Sequence, residues 1–429
     1  MTETPGTEVP STTGPEPPLS RSDRHKRARS GRRRRILLIA AIVVAALLVP
    51  VGISFGSALS DPANGSSIGA RAAEWFRGHG AETAVNWIEN FWYSHHQPPV
   101  GGKPPKGSIK VPTTTAVTAP PAQAPPHLAP PEPITPLASP PLAGEGQWSP
   151  AGRLVDGVPA VYETELRPDP IHTSQVVGVA WMDTMLLSAT LYSGSIIPGG
   201  GPFSHTAPIN SDAAGSLVAV FNAGFLMANA NGGYYPDGRT EIPLRAGAAS
   251  FVIYDNGTAT VGAWGSDVSM APDVASVRQN LDLLVSSGQP VPGLDASDTS
   301  RWGFTLGNQV YVWRSGVGVT ADGALVYVGG PSLNITSLAD VLAAAGCVRA
   351  MELDINTDWV NMAAFSPAAG QPAAPGNGAN LLSTMSGGTS RYFQSYWERD
   401  FITMSSAYGA QQSLPVPTTS TAPLRRAPA

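Results

Sequence analysis

Only one cysteine, Cys347, occurs in 429 residues, so the chain can form no internal disulfide. An outer domain without such staples must be held by the size of its core. Cys347 follows Gly346 at the end of a predicted helix and reads as a small buried apolar residue. Charged residues make up only 13% of the chain, and the few histidines do not cluster into a site: His95 and His96 lie before a Pro-rich stretch, and His172 and His205 stand alone. The sequence has no Gly-Lys-Ser/Thr loop, dinucleotide fingerprint, zinc-binding helix or Gly-x-Ser-x-Gly elbow, which sets aside the chemistries those motifs carry.

Charge is unevenly placed. Positions 1–35 hold 9 of the 26 basic residues and 4 of the 31 acidic ones, which leaves 17 basic against 27 acidic beyond them. The acidic remainder has no basic stripe of the kind nucleic-acid binding requires. The basic run ends at Arg32-Arg33-Arg34-Arg35, directly before an uncharged apolar run from Ile36 to Phe55. About 20 apolar residues at a rise of about 1.5 Å match a bilayer core of about 30 Å. A transmembrane helix over 36–58 with a cytoplasmic tail over 1–35 follows, because flanking Arg and Lys stay inside. A cleaved signal peptide fits less well, since the apolar run is long and only 58–60 offers a weak cleavage site.

Over 59–96, Trp75, Phe76, Trp87, Ile88, Phe91 and Trp92 recur at helical spacing. Such a juxtamembrane helix could lie on the membrane surface, pair with a second chain into a homodimer, or simply pack loosely. Positions 97–146 are rich in Pro, Ala and Thr and read as an extended stalk, about 3 Å per residue and on the order of 100 Å in reach. The Pro- and Thr-rich tail, 409–429, reads as disordered.

Positions 147–408 remain as one outer domain. Strands are expected at Gln175–Trp181, Met185–Tyr192, Ser216–Asn222, Ala249–Tyr254, Thr258–Ala263, Gln309–Val312, Gly316–Thr320 and Ala324–Val328. Asp255-Asn256-Gly257 and Ala321-Asp322-Gly323 are hairpin turn signals. Helices are expected at Pro272–Ser287 and Ser337–Ala345, from apolar residues at three- and four-residue spacing and the Gly after each. Strands outnumber helices and hairpins recur, which gives an α+β class with a largely antiparallel sheet.

Four places carry polar residues in apolar surroundings. Asn222 ends an apolar strand two residues before Gly224, where an amide could point into a cleft that glycine leaves open. Arg278 lies beside apolar positions of the first expected helix, either solvated or gripping an anion. Arg314 opens a strand in which Gly alternates with Val, so that something can pass close by and a guanidinium can grip phosphate or carboxylate. Glu352, Asp354 and Asn356 alternate along a strand, which puts all three on one face. Two neighbouring carboxylates are costly to bury unless they share acid–base work or hold a divalent cation; otherwise they mark a solvated edge.

The ordered set resembles the phosphodiester glycosidase family, over roughly 174–357. Phe221-Asn222-Ala223-Gly224-Phe225 is similar to its Asn-Gly-Gly-Phe element. Arg314-Ser315-Gly316-Val317-Gly318-Val319 with Ala321-Asp322-Gly323 is similar to its Arg-Thr-Ala-Ile-Gly strand and turn. Leu338-Ala339-Asp340-Val341-Leu342 followed by Leu353-Asp354 is similar to its helix and Leu-Asp strand. Where the family continues with a Gly-Gly-Gly-Ser run, this chain has Ile355-Asn356-Thr357, as in a divergent branch of actinobacterial type. The resemblance implies an extracytoplasmic hydrolase of sugar-1-phosphodiesters in cell-envelope glycan; no cofactor is expected, with a divalent cation left open. In it Arg314 would grip phosphate, Asp354 would be the essential carboxylate and Glu352 a secondary acid or base, with Asn222, Gly224, Arg278 and Asn356 at the substrate. The alternative is a non-catalytic domain that binds envelope glycan or a protein on the same fold.

Overall fold

Runs of β-branched and aromatic residues, broken by Gly and Asn turns, set most of the chain into strands. The computed structural model describes residues 39, 48–60, 68–81, 97–112, 124–295, 298–302, 311–394 and 399–408. The chain divides into two units, Met1–Ser60 and Asp61–Ala429. In the first, positions 48–60 are helical. No helix of the described residues is long and apolar enough to cross a membrane, and most of the apolar run over 36–47 lies outside those residues. The second unit begins with helix α1 (Ile68–Gly78), whose Trp75 stacks against His79, just past its end, at 4.0 Å. Trp87, Ile88, Phe91 and Trp92 lie outside the described residues, as does the tail over 409–429.

The rest of the second unit is built on three sheets whose strand pairings are all antiparallel. The largest runs, in spatial order, β1 (Ser149–Val155), β2 (Val158–Leu166), β3 (Val177–Met182), β13 (Leu325–Leu333), β12 (Val312–Thr320), β14 (Cys347–Glu352), β10 (Leu283–Ser286) and β11 (Gln289–Pro290). A second has β16 (Gly378–Asn380), β15 (Met362–Phe365), β5 (Leu217–Asn222), β17 (Phe401–Ser406) and β4 (Leu187–Tyr192). The third has β6 (Tyr234–Tyr235), β9 (Val274–Gln279), β7 (Ala249–Tyr254) and β8 (Ala259–Ala263). Short helices α2 (Ser211–Ser216) and α3 (Thr299–Trp302) connect strands.

Helix α4 (Ile335–Ala344) starts at Asn334, whose side chain accepts from Ser337 N at 2.7 Å while Ser337 Oγ accepts from Asn334 N at 3.0 Å, a reciprocal cap. Its Leu338, Val341 and Leu342 pack with Val179, Trp181, Val326 and Val328 on one face of the large sheet. Val317, Val319, Met351 and Leu353 face the other way, against Phe221, Phe251, Met362 and Met404 of the two smaller sheets. The large sheet is therefore buried on both sides, as its continuous apolar runs require.

Glycine alternation in β12 serves this packing. A Cβ on Gly316 would lie 3.0 Å from Leu342 Cδ1, and one on Gly318 would lie 2.6 Å from Cys347 Sγ. What passes close to that strand is helix α4 and strand β14.

Two expectations are corrected. Pro272–Ser287 is not a helix but the two strands β9 and β10. Val274 and Val277 pack together with Val252, while the adjacent Leu283 and Leu284 pack on opposite sides of the large sheet, so a sheet buried on two faces hides the strand's period of two. β-Branched composition decided the outcome over spacing. The stalk is also no free spacer over its described parts. Ile134 and Ala138 are 3% and 2% exposed, with Leu128 and Leu137 packed beside them on the core. Leu128 N donates to Asp183 at 2.8 Å, and Arg167 holds Glu145 at 2.8 Å and the carbonyls of Ala138 and Pro140. Extended Pro-rich backbone suits such a strap because it needs few ladder partners. Burying Ile134 contributes roughly 2–3 kcal/mol, which ordering the chain must be set against.

Candidate active site

The three sheets bring their ends together at the C-terminal end of β5. Asn222 is its last residue and pairs in register with Phe401, the first residue of β17. The Asn222 amide is fixed from three directions. Its Oδ1 accepts from Tyr327 Oη at 2.9 Å and from the backbone N–H of Asn361 at 3.2 Å, and its Nδ2 donates to Ser315 Oγ at 3.1 Å. Because the backbone N–H can only donate, the oxygen of Asn222 must face Asn361. One N–H of Nδ2 is left over.

Ser315 joins this amide to the carboxylate strand. Its Oγ also accepts from Asp354 N at 3.1 Å, while Ser315 N donates to Asp354 O at 2.8 Å. Strand β14 stops at Glu352, but the ladder continues to Asp354 and there turns. The turn is made by Asp354 itself: its Oδ1 accepts from Ile355 N at 2.7 Å and Asn356 N at 3.0 Å. Its Oδ2 accepts no hydrogen bond from the described residues. Asn280 locks the corner from the third sheet, donating to the carbonyls of Glu352 and Leu353 at 2.9 and 3.1 Å and accepting from Phe225 N at 3.2 Å.

Asn222, Gly224, Asp354, Trp359, Tyr392, Arg399, Asp400 and Phe401 line a small, partly open cleft. Burial pushes the Asp354 carboxyl up to about 6, a rise that Arg399, the two N–H groups of its turn and Arg278 limit without cancelling. Arg399 is 8% exposed, and its Cζ lies 4.4 Å from the centre of the Trp359 ring. Arg278 stands behind the cleft on β9. Its Nε donates to Asp400 at 2.7 Å, Nη1 to Gln279 O at 2.7 Å, and Nη2 to Phe225 O. Gly224 leaves it little room to spare: a Cβ there would lie 3.0 Å from the Arg278 guanidinium carbon, so the guanidinium would have to shift by a few tenths of an ångström.

Of the residues singled out from sequence, Asn222, Gly224 and Asp354 meet in this cleft, with Arg278 directly behind it. Arg314, Glu352 and Asn356 do not line it. Arg314 and Gly316, which pairs with Glu352, share a face of β12, and that face is the one covered by α4. There Arg314 donates from Nη1 to Glu352 Oε1 and from Nε to Leu333 O at 3.1 Å, with both side chains at most 1% exposed. Burial raises the Glu352 carboxyl and Arg314 opposes that rise.

The expected face of Glu352, Asp354 and Asn356 breaks up because the strand ends at Glu352. Glu352 turns to Arg314, Asp354 turns to its own next residues, and Asn356 Oδ1 accepts from Asp358 N at 2.9 Å. Among the described residues no group of three or more His, Cys, Asp or Glu side chains is placed to hold a metal ion. Sequence reasoning missed Trp359, Tyr392, Arg399 and Asp400, which come from loops beyond the matched motifs; the sole signal was an Arg-Asp pair directly before an apolar strand.

Residues 215–354 match the model of the phosphodiester glycosidase family, the family that the sequence resembles. The match takes in Asn222, Gly224, Arg278, Arg314, Glu352 and Asp354. No curated protein matches the chain. Among solved structures, the chain is similar to the zebrafish N-acetylglucosamine-1-phosphodiester alpha-N-acetylglucosaminidase catalytic domain, auto-inhibited by its pro-peptide. Identity is 15% over 60% of this chain and 87% of that one, with a TM-score of 0.36. A hypothetical protein from Synechocystis aligns at 12% identity over 61% and 64% of the two chains, with a TM-score of 0.32. An exported protein from Burkholderia pseudomallei aligns at 14% identity over 55% and 75%, with a TM-score of 0.28.

Proposed function

We propose that the cleft hydrolyses a sugar-1-phosphodiester and that Asp354 is its general base. The observation that carries the reading is the Asp354 carboxyl: buried, in the cleft, one oxygen held by two N–H groups and the other without a hydrogen-bond partner among the described residues. Pushed up to about 6, it is a stronger base than an ordinary carboxylate yet still ionised at neutral pH. Its unpartnered oxygen takes the proton of a water that attacks the sugar C1. The C1–O bond breaks and its electron pair leaves on the phosphate oxygen, giving a free sugar and a phosphate monoester. Phosphate leaves readily, so the reaction needs little help from an acid. The remaining N–H of Asn222 orients the substrate.

The family match over 215–354 supports this chemistry for the segment that supplies Asn222 and Asp354. The apolar run over 36–58 behind four arginines supports a single-pass anchor with the domain outside, where cell-envelope glycan is the substrate in reach. The binding-domain alternative draws on one observation: the Ile355 and Asn356 N–H groups, where the family has its glycine run, are occupied by Asp354 itself rather than open to an anion.

The test is release of sugar from a synthetic sugar-1-phosphodiester. Release that is lost in Asp354→Asn supports the hydrolase. Folded protein that binds glycan but releases nothing across a panel of sugars decides for the binding domain.

A further inference from the structure

Four arginines are buried around the cleft, and three of them hold the fold through two or more hydrogen bonds each. Arg278 donates to Asp400, Gln279 O and Phe225 O. Arg314 donates to Glu352 and Leu333 O, and Arg391 donates to Asp358 O and Ser386 O at 2.8 and 2.7 Å. Arg399 differs. It makes no hydrogen bond to any described residue, and its Nη1 is buried without a partner. Its guanidinium carbon lies over the Trp359 ring, 4.4 Å from the ring centre.

It lines the same cleft as Asp354 and is close enough to favour the ionised form of that carboxylate, yet forms no ion pair with it. A buried cation left unpaired in the free protein is costly, and such a cost is kept where a ligand supplies the missing acceptors. Arginine presents a rigid planar fork that matches two oxygens of one tetrahedral group, and an aromatic shelf fixes that plane in advance.

We propose that Arg399, seated on Trp359, binds the phosphoryl oxygens of the substrate and so places the sugar C1 beside Asp354. The inference rests on the hydrolase reading for the identity of the anion, but it assigns the grip to residues outside the matched segment and away from Arg314. Arg278, one layer behind, keeps Asp400 in place and is not itself available to the anion.

The test uses the full chain and two probes at equal ionic strength, inorganic phosphate and acetate, with binding read by calorimetry. Phosphate should bind and acetate should bind at least tenfold more weakly. Arg399→Met should weaken phosphate at least tenfold, Arg399→Lys by an intermediate factor, and Trp359→Phe by a few-fold. Because Arg399 makes no hydrogen bond to the described residues, ligand-free Arg399→Met should melt no lower than the parent; an arginine kept for structure would lower the melting temperature. Unchanged phosphate affinity in Arg399→Met, or tighter binding of acetate than phosphate, overturns the assignment. If sugar release proceeds with an unchanged KM in Arg399→Met, the subsite is wrong and the hydrolase stands. If phosphate binding depends on Arg399 and no diester is cleaved, the subsite stands and the hydrolase is wrong.

Discussion

Replacing Asp354 by Asn should make the protein inactive and, at neutral pH, more stable. The side chains are nearly the same shape, and Asn Oδ1 can still accept from Ile355 N and Asn356 N, so the turn survives. The difference is charge. The folded carboxyl titrates at about 6, against an ordinary value near 3.8 in the unfolded chain. Between those two values the folded state holds more protons than the unfolded one, so stability falls as pH rises through that window and stays lower above it. At about 1.4 kcal/mol per pH unit, the gap makes about 3 kcal/mol. Asn carries no such cost, so Asp354→Asn should match the parent near pH 3 and exceed it by about 3 kcal/mol at pH 8, or roughly 5–10 °C in melting temperature. Urea unfolding of parent and variant across pH 3–8, with sugar release measured alongside, checks both effects. Parallel pH profiles, or a variant less stable at pH 8, would show that Asp354 is an ordinary solvated or structurally paired carboxylate and would remove the physical basis for its role as base.

Other consequences are open to measurement. If Asp354 is the base, kcat/KM for a sugar-1-phosphodiester should rise with pH through about 6 and then level off. Gly224→Ala would press a methyl group onto the Arg278 guanidinium and should cost about 1–3 kcal/mol in urea unfolding, with loss of activity as Asp400 shifts. Arg314→Met leaves Glu352 buried and unpaired and should cost about 3–5 kcal/mol, most of it recovered in Arg314→Met/Glu352→Met; a double-mutant cycle on unfolding free energy measures this. Ile134→Ala, in the strap, should cost about 2–4 kcal/mol, whereas a residue in a free spacer would cost nothing.

The sequence made the strand-rich core legible because burial and β-branching coincide there. Ala249–Tyr254 is the strand expected at those residues, and the expected helix at Ser337–Ala345 lies within a residue or two of α4. The 272–287 segment misled because a strand buried on both faces has no period of two to contrast with a helix. Pro-rich composition hid Ile134 and Ala138, the buried apolar residues of a strap that hydrogen bonds to Asp183 and Arg167 also hold. For the site, strand-end position revealed Asn222 and Asp354, since the end of a buried strand is where polar side chains can reach a cleft. Arg314 was drawn in by chemistry alone; which face of β12 it takes depends on α4, and nothing local encodes that. Arg399 and Asp400 follow no periodic pattern, and only the pairing of β17 with β5 brings them to Asn222.

That pairing has a consequence for how the molecule is made. β17 is the last strand of the described chain, yet it lies inside its sheet, between β5 and β4, which are joined early in the sequence. Until it arrives, the neighbouring strands have a gap between them, and neither Arg399 nor Asp400 is present to meet Asn222. Synthesis therefore completes the cleft and closes the sheet in one stroke, so a nascent or prematurely stopped chain would lack the finished sheet and the finished cleft together.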